Sequence, residues 1–234
     1  MPSSTLIDEH REVQNAAKAV LTSLAATISE ADTEESIAEF CIHALRDLGF
    51  PDTWYYACPA FVLSGARSCL SISGREYVPG REIIGQFNLV TVDLSPTRNG
   101  HWGDCARSFY IENGCNQTDP TSPELRDGKN FIASLHEEMK RTVYPEMSFH
   151  ELFEWTNHRI KVAGFENLDF LGNVGHSIAT RREDRQYVAA NNGRRLSDVP
   201  FFTFEPNVCM VAGRWGFKHE NIFFFDEAGQ LTEL

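Results

Sequence analysis

Apolar residues in the first fifty positions recur at helical spacing. Val13, Ala17, Val20, Leu21, Leu24 and Ile28 form one stripe, three and four residues apart as on a single helix face. Asp32-Thr33-Glu34-Glu35 then offers a cap and an acidic first turn. A second stripe follows at Ile37, Phe40, Cys41, Ala44, Leu45 and Leu48, and Gly49 stops it. From Trp54 the texture changes to strand and turn. Residues 89–95 and 107–111 read as strands, with Thr97-Arg98-Asn99-Gly100 as turn sequence between them. Helical spacing returns after Ser122-Pro123-Glu124, where proline suits the first helical position. It returns again after Ser148-Phe149-His150-Glu151, a capping box. Residues 201–205, 207–211 and 220–225 are strand-like.

Helices followed by strands thus occur twice, with a break near residues 113–121. The pattern predicts an α+β chain, a single catalytic domain over 1–234 with halves of approximately 1–115 and 120–234. No sequence repeat relates the halves; only the organisation recurs.

Composition narrows the function. The 234 residues are 42% hydrophobic, 12% aromatic and 23% charged, an ordinary globular mixture. Lysine and arginine number 21 against 33 acidic residues, for a net charge of −12. Such a chain has no general attraction for phosphate backbones or anionic lipid, which argues against nucleic acid and membrane partners. The polar, acidic N-terminus lacks the basic start and apolar core of a secretory signal. No apolar run approaches the ~18 residues of a membrane helix. The six cysteines are scattered, as in a cytoplasmic protein with reduced thiols. A homodimer is left open.

The alternation of residues 89–95 puts Val90, Val92 and Leu94 on one face and Thr91, Asp93 and Ser95 on the other. An aspartate inside a strand is partly desolvated and needs a partner. Asp104 lies eleven residues on, where a returning strand would bring the two carboxylates together. The figure recurs late in the chain: Phe202 and Phe204 share one face, Thr203 and Glu205 the other, and Glu220 stands fifteen residues further. With His176 of Gly175-His176-Ser177, the set holds four negative charges and one neutral imidazole. Two divalent metal ions would balance it, and oxygen-rich ligation with one histidine suits manganese, iron(II), cobalt or zinc. Any one of these carboxylates taken alone is better explained as a cap or surface charge, and His176 alone as a structural histidine; five in this order are not.

Val92-Asp93-Leu94, Gly103-Asp104-Cys105-Ala106-Arg107-Ser108-Phe109, Gly175-His176-Ser177-Ile178, Phe204-Glu205-Pro206 and His219-Glu220-Asn221-Ile222 resemble the metal-site motifs of the methionine aminopeptidase, aminopeptidase P and creatinase family. The resemblance covers almost the whole chain. It implies the pita-bread fold, two pseudo-symmetric αβ halves around a dinuclear metal site. It also implies that Asp93 chelates one ion, that Asp104 and Glu220 bridge both, and that His176 and Glu205 hold the other. Glu205 would be the catalytic general base.

The sequence departs from the family's peptidases at two places. No histidine lies between His43 and His101, where those enzymes carry one that contacts substrate, and Glu183 stands seven positions after His176, where they carry another. Arg181 and Arg182 are candidates to fork onto a substrate carboxylate, or are solvated loop charges. Glu183 would hold a substrate cation or pair with one of those arginines. Tyr55, Tyr56, His101 and Trp102 are candidate pocket residues, or simple core. His219, on the strand face opposite Glu220, is left out of the ligand set. The expected activity is hydrolysis of an amide or amide-like C–N bond in a small molecule or short peptide. A non-hydrolytic metalloenzyme, or a binding protein on a peptidase fold, is the alternative.

Overall fold

The computed structural model describes residues 2–234. Its first helix, α1 (Ser4–Thr27), begins ahead of the apolar stripe because Ser3 caps it, accepting the Leu6 N–H on its hydroxyl. Thr33 and Ser36 form a reciprocal capping box at the start of α2 (Glu34–Asp47), and Ser36 is itself held by Asp32. Gly49, at φ +89°, ends that helix in the left-handed region.

The strands of the first half are β1 (Asp52–Thr53), β2 (Ala60–Ser64), β3 (Phe87–Leu94), β4 (Pro96–Arg98), β5 (His101–Trp102), β6 (Cys105–Glu112) and β7 (Cys115–Asn116). An antiparallel sheet runs β2-β3-β6-β7, with β3 and β6 paired from Phe87↔Glu112 to Leu94↔Cys105. Residues 97–100 do not close that hairpin directly. Asn99 (φ +54°) and Gly100 (φ +83°) turn a smaller one, β4–β5, which pairs with β1. The sheet's inner face, Val90, Val92 and Leu94, packs with Val13, Val20, Leu24, Ile37 and Cys41 of the two helices.

The second half repeats the order with α3 (Pro123–Thr142), α4 (Phe149–Val162), β8 (Phe165–Asn167), β9 (Phe202–Phe204), β10 (Asn207–Met210), β11 (Gly216–Lys218), β12 (Asn221–Phe225) and β13 (Leu231–Glu233). Two small antiparallel sheets result, β11-β10-β8 and β13-β12-β9. Phe149, Phe202, Phe204, Phe217 and Phe223 are fully buried beneath α3 and α4. Each such ring stabilises the fold by about 1.5–3 kcal/mol through area removed from water. Gly128 of α3 lies where a methyl group would meet the Phe217 ring at 2.1 Å, so the helix packs directly on that side chain.

Leu89 belongs to this second core although its strand belongs to the first sheet. The outer face of β3 therefore looks toward the second half. The Ala106↔Glu220 bridge joins β6 to the segment leading into β12. Cys41, Cys58, Cys105 and Cys209 are buried and all six cysteines are free. Among the described residues, no helix is long and apolar enough to cross a membrane.

Candidate metal centre

The seam between the halves brings four carboxylates and an imidazole together, each placed by pairing or hydrogen bonds at its backbone. Asp93 pairs with Ala106 across the β3–β6 ladder, and Ala106 accepts the Glu220 N–H from its other side at 3.0 Å. Asp104 is fixed by Gln14 of α1, which accepts the Asp104 N–H at 2.8 Å and donates to its carbonyl at 2.9 Å. Glu205 directly follows β9, and its N–H donates to the Val174 carbonyl at 2.9 Å. His176 N–H donates to Thr203 Oγ1 at 3.0 Å. Gly175 permits this approach, since a Cβ there would lie 2.2 Å from the Thr203 carbonyl oxygen.

The His176 ring sits with Nδ1 3.0 Å from the Ser177 carbonyl, which must accept from it. Nε2 is then left with its lone pair, 3.3 Å from Asp104 Oδ2 and 3.6 Å from Glu205 Oε1. A lone pair facing carboxylates calls for a cation or a proton between them. Donor atoms of Asp104, His176 and Glu220 lie within 4.8 Å of one another. Asp104 Oδ2 and both carboxylate oxygens of Glu220 are buried without a hydrogen-bond partner. Burial pushes the Asp104 carboxyl up to about 6, against the pull of His176. It pushes Glu220 well above the carboxylate range, with Asp104 and Glu205 adding to the effect. Such a donor set fits a divalent cation, which would relieve all of these costs at once.

Lys218 is a member of the centre that the charge count above omits. Its Nζ lies 2.5 Å from Asp93 Oδ2, 3.3 Å from Glu205 Oε2 and 3.5 Å from Glu220 Oε2. Burial works against its charge, but Asp93, Glu220 and Glu205 hold the ammonium protonated, its pKa well above the usual lysine value. Lys218 in turn keeps Glu205 below the carboxylate range despite burial, with His176 helping. The sequence held the signal: Lys218 stands two residues before Glu220, so the alternation that turns His219 away turns Lys218 inward. His219 does face elsewhere, packing against His136, whose Nε2 lies 3.0 Å from the His219 carbonyl.

The centre floors a cavity of about 570 Å³ whose lining includes Asp93, Asp104, His176, Glu205 and Lys218. Tyr55 and Tyr56 line it as expected candidates, Tyr56 in left-handed backbone at φ +47°. His101, Trp102, Arg181, Arg182 and Glu183 lie outside the lining. The β4–β5 hairpin folds His101 back onto Glu9, and Trp102 is buried behind Trp54, stacked at 4.4 Å. Arg181 and Asp184 pair on the surface, as do Glu183 and Arg182. Arg182 also covers the Tyr56 ring at 3.7 Å.

The chain turns tightly at residues 182–184 and delivers Arg185 to the cavity instead, 5.0 Å from the Trp54 ring and bonded to Tyr187 Oη at 3.0 Å. Among the described residues, His176 is the sole histidine of the lining. Ser71, Ser73, Asn173 and Asn207 supply neutral polar groups.

The chain belongs to metallopeptidase family M24, whose family model matches residues 8–227. Solved structures agree in fold. The X-Pro aminopeptidase from Thermotoga maritima aligns with TM-score 0.81 at 16% identity, over 99% of this chain and 61% of that one. The prolidase from Pyrococcus furiosus gives 0.80 at 17%, over 100% and 64%. Dipeptidase PepE from Mycobacterium ulcerans gives 0.79 at 18%, over 99% and 58%. This chain thus spans about three fifths of each. The shared architecture is the pita-bread fold, and the family's enzymes use divalent metal ions. No curated protein sequence matches the chain.

Proposed function

We propose that the chain is a metal-dependent hydrolase acting on an amide or amide-like C–N bond in a small molecule or short peptide. The observation that carries the reading is the convergence of Asp104, His176 and Glu220 within 4.8 Å, with three carboxylate oxygens buried and unpartnered, Asp104 and His176 lining a cavity and Glu220 buried behind them. Asp104, His176 and Glu220 would hold the metal, with Glu205 and Asp93 beside them. Manganese, iron(II), cobalt or zinc suits this mixture of carboxylate and imidazole. A divalent ion supplies Lewis acidity toward a carbonyl and makes hydroxide available near neutral pH.

The chain's own groups do the rest. Glu205 is ionised, half-buried and 3.6 Å from His176, so it accepts the proton that the attacking water gives up. Lys218 stabilises the ionised form of Glu205 and pairs with Asp93. Trp54, Tyr55 and Tyr187 give the cavity flat apolar walls, and Arg185 gives it a cationic rim suited to a substrate carboxylate. Glu183 is outside the cavity lining and paired with Arg182.

Turnover of short peptides and small N-acyl compounds, measured after chelation and re-addition of each metal, tests the reading. Activity should vanish with chelator and return with metal. In Glu205→Gln it should fall by about 100-fold or more at unchanged metal content. Full activity in chelator, or no amide turned over with any of the metals, would overturn it.

A further inference from the structure

The two kinds of cation that this centre could hold compete for the same oxygens. Lys218 leaves β11 beside Glu220, and its backbone is pinned there: Lys218 N–H donates to Ser108 Oγ at 2.9 Å, and Ser108 Oγ donates back to the Lys218 carbonyl at 3.0 Å. The side chain is largely buried; its Nζ bonds Asp93 and has Glu205 and Glu220 oxygens at 3.3 and 3.5 Å. A metal ion on these oxygens would need them at about 2.0–2.2 Å. The Nζ already lies 2.5 Å from Asp93 Oδ2, so an ion placed where the ammonium now sits would have to displace it.

Net charge does not choose between the arrangements. With Lys218 counted, four carboxylates and one ammonium leave −1 with a single divalent ion and +1 with two. Space chooses. Asp104 Oδ2 and Glu220 Oε1 have no partner, and His176 Nε2 faces them. Asp93 alone has its charge met at hydrogen-bond distance.

We propose that Lys218 is a built-in cation that takes the place of one metal ion between Asp93, Glu205 and Glu220, so that the chain binds a single divalent ion through Asp104, His176 and Glu220. The proposal rests on the metal-dependent reading above. It makes Lys218 a positioning residue: it holds Asp93 and Glu205 where a second ion would otherwise hold them.

Mn(II) titrated into metal-free protein, followed by calorimetry and electron paramagnetic resonance, decides the matter. The expected result is saturation at one ion per chain with the hyperfine pattern of an isolated Mn(II). Lys218→Met should open the second position, raising the stoichiometry to two and producing the spectrum of an exchange-coupled pair. Lys218→Arg, which keeps a cation, should stay at one and covers the case in which the methionine variant fails to fold. Wild-type protein that saturates at two ions with a coupled spectrum overturns the proposal and leaves the metal-dependent reading standing. Wild-type protein that binds no ion and still turns over substrate removes that reading, and the proposal with it.

Discussion

The two sides of the centre differ in what they lack. On one side Asp104, His176 and Glu220 are buried, fixed by backbone pairing and short of partners. On the other, Asp93 and Glu205 are half-buried, open to the cavity and already in contact with an ammonium. Desolvated carboxylates without a partner are a standing cost to folding, borne where a ligand repays it. The first side is thus built around something the polypeptide does not contain, whereas the second is complete within the chain. A residue's burial alone does not reveal this. The difference lies in which oxygens remain unsatisfied.

The comparison breaks most visibly at Asp104. Asp104→Asn removes a charge from the unsatisfied side and leaves Gln14 to hold the backbone. Ion affinity should fall by more than the roughly 10–100-fold lost when only an outer-shell partner of a ligand is removed, and turnover should fall with it. Thermal stability without metal should hold or rise, because a buried carboxyl that is hard to ionise has become a neutral amide. Calorimetric titration and unfolding in chelator measure both. Unchanged ion affinity would mean that the two sides do not differ as described.

Much of this centre is legible in the sequence because strands alternate. Val90, Val92 and Leu94 pack with the helices, while Thr91, Asp93 and Ser95 line the cavity, as period two requires. Phe202 and Phe204 go to the core and Glu205 to the cavity by the same rule. Lys218 obeys it too and is missed because a tally of acids and imidazoles passes over a lysine. Arg185 is different. It follows a single 3-10 turn in the irregular run between β8 and β9, where no periodicity says which of Arg181, Arg182 and Arg185 turns inward. His101 and Trp102 lie outside the lining for a related reason: Asn99 and Gly100 turn a second hairpin inside the first, and that reverses which way the segment faces.

Arg185 sharpens the comparison from the substrate side. Arg185 lines the same cavity as Asp93, Glu205, Asp104 and His176, beside the Trp54 ring, where its guanidinium can meet a substrate carboxylate. Arg185→Ala should raise KM for substrates with a carboxylate by about 10- to 100-fold, the worth of a hydrogen bond to a charged group. Neutral analogues should be affected much less, with little change in kcat for either. Steady-state kinetics on a matched pair of substrates measures the effect. Equal changes for both members would place Arg185 in the wall rather than in recognition.

The smallest expected effect concerns the strand that carries both sides. Lys218 and Glu220 flank His219, whose carbonyl lies 3.0 Å from His136 Nε2 and accepts its hydrogen. Burial pushes His136 down to about 3, with the His219 carbonyl partly opposing and Arg107 and Lys140 reinforcing. The unfolded chain has an ordinary histidine at about 6.5. Between those values the unfolded state takes up a proton that the folded state refuses. Stability contributed by the neutral ring is therefore intact above about pH 6.5 and is lost as pH falls toward the folded value. His136→Gln can keep the donor to His219 and cannot titrate in this range. Urea unfolding at about pH 7 and pH 5 should show a smaller loss of midpoint in the variant than in wild type. The metal stoichiometry should be the same in both. Equal losses would show that His136 is protonated in the fold. A changed stoichiometry would show that its bond to His219, rather than the side chains alone, sets the spacing between Lys218 and Glu220.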